Sequence, residues 1–129
     1  MRTDTPRVLL IEEEPTLAEI TAFRLELLGY QVACANTAAE AAEKLAEGLP
    51  DAILLGLSLA GMDGIELANR ISNDERTHGV PIMALSSDAD LSKVQRAFAA
   101  GAKEFLVTPY DPSVLENKLE RLLTAGARK

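Results

Sequence analysis

Residues 52–64 read AILLGLSLAGMDG, from Ala52 to Gly64. The stretch opens directly after Pro50-Asp51, a pair that breaks regular structure. Ala52, Ile53, Leu54 and Leu55 then form an unbroken apolar run. A run this short, bounded by turn residues, reads as a strand buried on both faces and here as the central one. The loop from Leu57 to Gly64 carries Gly61 and Gly64 as turn formers. Asp63 is placed to cap a helix from about Ile65 to Asn73, with Ile65, Ala68 and Ile71 as its apolar positions.

The same strand–helix unit recurs on either side. Val8 to Ile11 is a strand that stops at charge, and Pro15 opens a helix in which Leu17, Ile20, Phe23 and Leu27 recur at helical spacing before Gly29 ends it. Tyr30 to Ala35 reads as a second strand. A capping box from Thr37 to Glu40 follows, with a stripe of Ala38, Ala41, Ala42, Leu45 and Leu49. Beyond a polar loop at residues 73–79, Pro81 to Leu85 is the fourth strand. Its helix is expected to turn Leu91, Val94 and Phe98 inward and to stop at Gly101. Phe105 to Val107 is the fifth strand. Asp111 caps a last helix that has Pro112 at its first position and Leu115, Leu119 and Leu122 inward. Five such units predict an α/β fold, a doubly wound five-stranded parallel sheet with helices on both faces.

The chain has 129 residues, which suits one domain over 1–129 with a core from about 7 to 123. Apolar residues make up 47%, enough for a packed interior. Twenty acidic against 13 basic residues leave a net charge of −7, which argues against direct nucleic-acid binding. Cys34 is the only cysteine and His78 the only histidine, so no internal disulfide, cysteine cage or paired-histidine zinc site is expected. Cys34 lies in an apolar strand pattern and is read as a buried, inert thiol. No signal sequence or spanning segment is visible, and a soluble cytoplasmic protein is expected.

In an open parallel sheet ligands sit beyond the carboxyl ends of the strands. That rule selects Glu12-Glu13-Glu14, Asn36, Gly56 to Ser58, Ser86-Ser87 and Thr108-Pro109.

At these segments the sequence resembles the CheY-like receiver domain of two-component response regulators, whose fold is flavodoxin-like. RVLLIEEEP (Arg7 to Pro15), AILLGLSLAGMDG, PIMALSS (Pro81 to Ser87) and GAKEFLVTP (Gly101 to Pro109) keep that family's order and spacing over nearly the whole chain. The resemblance implies an acidic pair at Glu12 and Glu13, a phosphoacceptor position at Gly56, a hydroxyl at Ser86, a phosphate-contacting lysine position at Thr108, a switch aromatic at Phe105 and a cis-proline loop. In the family the acidic pair and an aspartate ending the central strand bind magnesium, and that aspartate is phosphorylated.

Several of those requirements are unmet. Gly56 has no side chain to phosphorylate, Thr108 carries no charge, and glutamates replace the usual aspartates. The pocket of Glu12, Glu13, Gly56, Ser58, Ser86 and Thr108 therefore reads as a degenerate phosphorylation site. No cofactor is expected, and magnesium would bind at most weakly at Glu12 and Glu13. The function expected is that of a non-enzymatic, phosphorylation-independent interaction module. Its partner would be a signalling protein such as a histidine kinase or another regulator, with neither nucleic acid nor membrane contacted.

By the same resemblance the partner face, which would also serve a homodimer, is the fourth helix, fifth strand and fifth helix. Its candidates are Phe105, Lys93, Arg96, Lys103, Glu104, Tyr110, Asn117 and Arg121. The chain stops soon after the last helix, so a single-domain regulator is expected. Two other functions are weighed: phosphotransfer at Asp63, Glu12 or Glu13, and a small-molecule sensor using Ser86 and Thr108.

Overall fold

The structure, a computed structural model, describes residues 5–59 and 61–127, with backbone only for 125–127. Residues 1–4, 60, 128 and 129 of the expected domain span lie outside the described residues. The strands are β1 (Arg7–Ile11), β2 (Gln31–Ala35), β3 (Ala52–Gly56), β4 (Ile82–Ser86) and β5 (Glu104–Val107). The helices are α1 (Pro15–Leu27), α2 (Ala38–Glu47), α3 (Gly64–Asn73), α4 (Leu91–Ala99) and α5 (Pro112–Ala127).

All strand pairings are parallel, in the order β2-β1-β3-β4-β5. The chain thus runs outward from β1 to one edge, then returns to build the other side from β3. The point where the order reverses lies between β1 and β3, and the crevice at their carboxyl ends is where this topology offers a site.

Alternation along the central strands divides the interior in two. Leu9, Ile11, Ile53, Leu55, Ile82, Ala84 and Phe105 face a layer built from α2, α3 and α4. Val8, Leu10, Leu54, Met83, Leu85 and Leu106 face Leu25 of α1 and Leu115, Leu119 and Leu122 of α5. β3 and β4 are buried along their whole length, which is why both read as unbroken apolar runs. Each such Leu or Ile contributes roughly 1.5–3 kcal/mol of burial.

Capping side chains set the helix starts. Thr37 Oγ1 accepts the Glu40 N–H at 3.1 Å, Asp63 accepts that of Ile65 at 3.0 Å and Asp111 that of Ser113 at 2.8 Å. Glu14, not anticipated as a cap, accepts the Leu17 N–H at 2.7 Å.

Burial departs from the sequence reading at α4, α1, Cys34 and the α2 stripe. α4 turns Leu91 and Phe98 outward, and its buried residue is Ala97 with Val94 only half-covered. The small side chains of Ala97 and Ala100 let the helix lie close to the sheet, which displaces the large ones to its outer side. In α1 the buried positions are Ala18, Thr21 and Leu25, while Ile20, Phe23 and Leu27 face out. The Cys34 thiol is exposed, because β2 is an edge strand and its flank is incompletely covered. In the α2 stripe, Ala41 and Leu45 are buried but Leu49 is exposed.

Candidate functional site

Glu12 leaves the end of β1 and is buried, with 7% of its surface exposed. Its backbone is held on both sides. The Glu12 N–H donates to Ala35 O at 3.0 Å, and Asn36 Nδ2 donates to Glu12 O at 3.0 Å. Its side chain turns inward, where Oε2 accepts the Glu14 N–H at 3.0 Å. Oε1 lies over Gly56, the last residue of β3. A Cβ built on Gly56 would overlap Oε1 and stand only 3.1 Å from Cδ and 3.4 Å from Oε2. The Glu12 carboxylate therefore occupies the space from which any side chain at position 56 would grow.

The other expected residues are placed as follows. Glu13 and Ser58 are exposed. Ser86 is buried at the end of β4, and its hydroxyl is closed into a local turn. Oγ donates to Asp88 O and accepts the Asp88 N–H, both at 3.0 Å. Thr108 is half-buried, its N–H donates to Ser86 O at 3.0 Å, and the peptide to Pro109 is cis. The crevice thus gathers Glu12, Gly56, Ser86 and Thr108, while Glu13 and Ser58 stand at its exposed edge. Among the described residues no group of three or more His, Cys, Asp or Glu side chains is arranged to hold a metal ion.

Burial raises the Glu12 pKa above its ordinary 4.5; the Glu14 N–H opposes the rise, and the Glu14 and Glu13 charges add to it. The carboxyl therefore stabilises the fold in its protonated form. That contribution is complete below about pH 4.5 and is lost as pH rises through the raised value. Glu12→Gln cannot ionise. Its Tm relative to wild type is expected to improve between about pH 4 and about pH 7 in parallel melts. A difference in Tm, variant minus wild type, that stays constant or falls over this range contradicts this reading.

Asp63 holds its capping role, and its second oxygen lies 4.0 Å from Arg96. Phe105 is buried in the layer under α4. Three candidates for the partner face, Tyr110, Glu104 and Arg121, prove tethered. Tyr110 is half-buried, with its hydroxyl 2.7 Å from the buried Thr21 Oγ1 of α1. Glu104 is bridged by Arg121 at 3.1 Å and Lys118 at 3.4 Å. The Asn36 brace on Glu12 was visible in sequence only as an unassigned polar residue at a strand end.

The response regulator receiver domain model matches residues 8–120. The chain belongs to that family. Over 90% of its length it is 31% identical to the phosphate regulon transcriptional regulatory protein PhoB of Pseudomonas aeruginosa, of which it covers 51%. The chain spans about half the length of the curated relatives it matches. Among solved structures it is similar to the receiver domain of a signal transduction histidine kinase from Syntrophus aciditrophicus, with TM-score 0.88, 29% identity, and coverage of 97% of this chain and 95% of that one. It is also similar to the receiver domain of the Pseudomonas aeruginosa sensor histidine kinase PA1611, with TM-score 0.86, 26% identity, and coverage of 94% and 99%. That structure holds magnesium in its active-site cleft. This chain is thus a receiver domain of two-component signalling with the CheY-like fold. No described helix of it is long and apolar enough to cross a membrane.

Proposed function

We propose that this receiver signals by docking to a protein partner and is not switched by phosphorylation in its crevice. The observation that carries the reading is the Glu12 carboxylate seated over Gly56. The position that would accept a phosphoryl group has no side chain, and its space is already filled by the Glu12 carboxyl group. The donors that remain do not fit magnesium, which demands near-octahedral oxygen coordination. Glu12 Oε2 is engaged by a backbone N–H, Glu13 points to solvent, and β3 ends without a carboxylate. Without an acceptor or a lysine at Thr108, the domain has no catalytic constellation for phosphoryl transfer. The alternatives lose support. Asp63 is committed to its cap and to Arg96, and the Ser86 hydroxyl to Asp88.

The docking face we assign is α4–β5–α5. Leu91, Phe98 and Val107 are exposed on it, and Arg96, Lys103 and Arg121 rim it with positive charge. On a chain of net charge −7, a basic-rimmed apolar face suits a signalling protein that offers apolar side chains within an acidic border. A homodimer through the same face is the competing occupancy.

The test is capture of partners by the immobilised full chain from its native cell, with variants alongside. Phe98→Glu is expected to weaken capture by about tenfold or more, and Arg121→Ala by less. Glu13→Gln should bind as wild type, and adding acetyl phosphate should change nothing. Capture that requires the phosphodonor, or that is insensitive to Phe98→Glu, contradicts the reading.

A further inference from the structure

α1 is apolar on both sides. Its inner face buries Ala18, Thr21 and Leu25, yet Ile20, Phe23 and Leu27 stand outside with 47%, 61% and 70% of their surface exposed. An apolar strip on the solvent side of a helix marks a surface that a partner covers. The outer residues follow the spacing of a two-stranded coiled coil, with Ile20 and Leu27 at a and Phe23 at d. Glu19 then falls at g and Arg24 at e, so that an acid lies on one flank of the apolar strip and a base on the other. All five residues line one shallow groove. Among the described residues neither Glu19 nor Arg24 forms an ion pair within the chain.

We infer that this strip pairs with the same strip of a second copy, the two α1 helices running parallel. A twofold axis along the helices sets the Glu19 flank of one copy against the Arg24 flank of the other, and the reverse. Antiparallel pairing would instead bring Glu19 to Glu19 and Arg24 to Arg24. The charge pattern therefore selects both the occupant and its direction. The 13-residue helix is only about 20 Å long, which makes the contact smaller than a standard stable interface. A dissociation constant on the order of 10–100 µM is expected.

Sedimentation of the intact chain up to about 500 µM tests this. The weight-average mass of the wild type should climb toward twice 13.8 kDa. Phe23→Glu should remain monomeric, whereas Phe98→Glu on α4 should self-associate as wild type. Glu19→Arg should weaken pairing by about fivefold or more through two like-charge contacts, and Glu19→Arg with Arg24→Glu should restore it. A wild type that stays monomeric, a dimer abolished by Phe98→Glu instead of Phe23→Glu, or a double variant that fails to recover would each overturn the pairing.

Discussion

Gly56→Asp is expected to destabilise the domain by about 1–3 kcal/mol at neutral pH, even though the proposed reading would make it a restored acceptor residue. The new Cβ lands on Glu12 Oε1, so Glu12 has to swing away and give up the Glu14 N–H. Because the obstruction is the far end of a flexible side chain, sterics alone would be cheap to relieve. Most of the penalty is electrostatic: two carboxylates would share a buried crevice with no lysine and no third donor to neutralise them. The penalty should therefore shrink as pH falls and the pair takes up a proton. It should also shrink in a Glu12→Ala background, which makes Glu12 and position 56 a coupled pair in a double-mutant cycle. Urea denaturation at about pH 7 and about pH 5 reads both effects. A Gly56→Asp protein as stable as wild type at neutral pH would mean that Glu12 does not fill the space.

Gly64→Ala carries the largest expected loss of stability, about 3 kcal/mol, or roughly 10 °C in Tm for a chain of this size. Here the added Cβ meets backbone only: Leu57 Cα at 2.5 Å, Gly56 O at 2.7 Å and Leu57 C at 2.9 Å. None of these atoms can rotate aside. The approach is fixed by the Gly64 N–H, which donates to Leu57 O at 3.1 Å and draws the start of α3 onto the end of β3. Gly79 provides the control, since a Cβ there has nothing within 4 Å. Gly79→Ala should stay within about 0.5 kcal/mol of wild type. Thermal melts of the two variants separate close approach from a general intolerance of alanine at glycine positions.

The elements with unbroken or regularly spaced buried apolar residues were the legible ones. β3 and β4 announce themselves because a strand covered on two sides can be apolar throughout, and α5 because Leu115, Leu119 and Leu122 share a row against the sheet. The helix faces of α1 and α4 were misleading for a common reason. Both approach the sheet largely through small residues, Ala18 and Thr21 beside Leu25 in one and Ala97 in the other, while Ile20, Phe23 and Leu27 of α1 and Leu91 and Phe98 of α4 lie outside. Periodicity shows that such side chains share a face, and not which neighbour that face meets. Cys34 failed similarly, since a strand's place at the sheet edge depends on pairing order.

At the site, the absence of a side chain at the end of β3 was readable from Gly56 itself. That Glu12, and not Glu13, turns into the space depends on the Asn36 and Glu14 contacts that orient it. Such contacts join β1, β2 and the start of α1, and one-dimensional spacing does not reveal them. Two tethers on the proposed partner face, Tyr110 to Thr21 and Glu104 to Arg121, were hidden in the same way.

Docking without a chemical switch requires that nothing in this crevice accept a phosphoryl group. Intact-mass measurement after incubation of the full chain with magnesium and acetyl phosphate answers that directly. A receiver that carries an aspartate at the end of its central strand would run beside it as the reactive comparison. The unmodified mass is expected to persist while the comparison protein gains one phosphoryl group. A stoichiometric gain on this chain, at Glu12, Glu13, Asp63 or anywhere else, would contradict a receiver that works by docking alone.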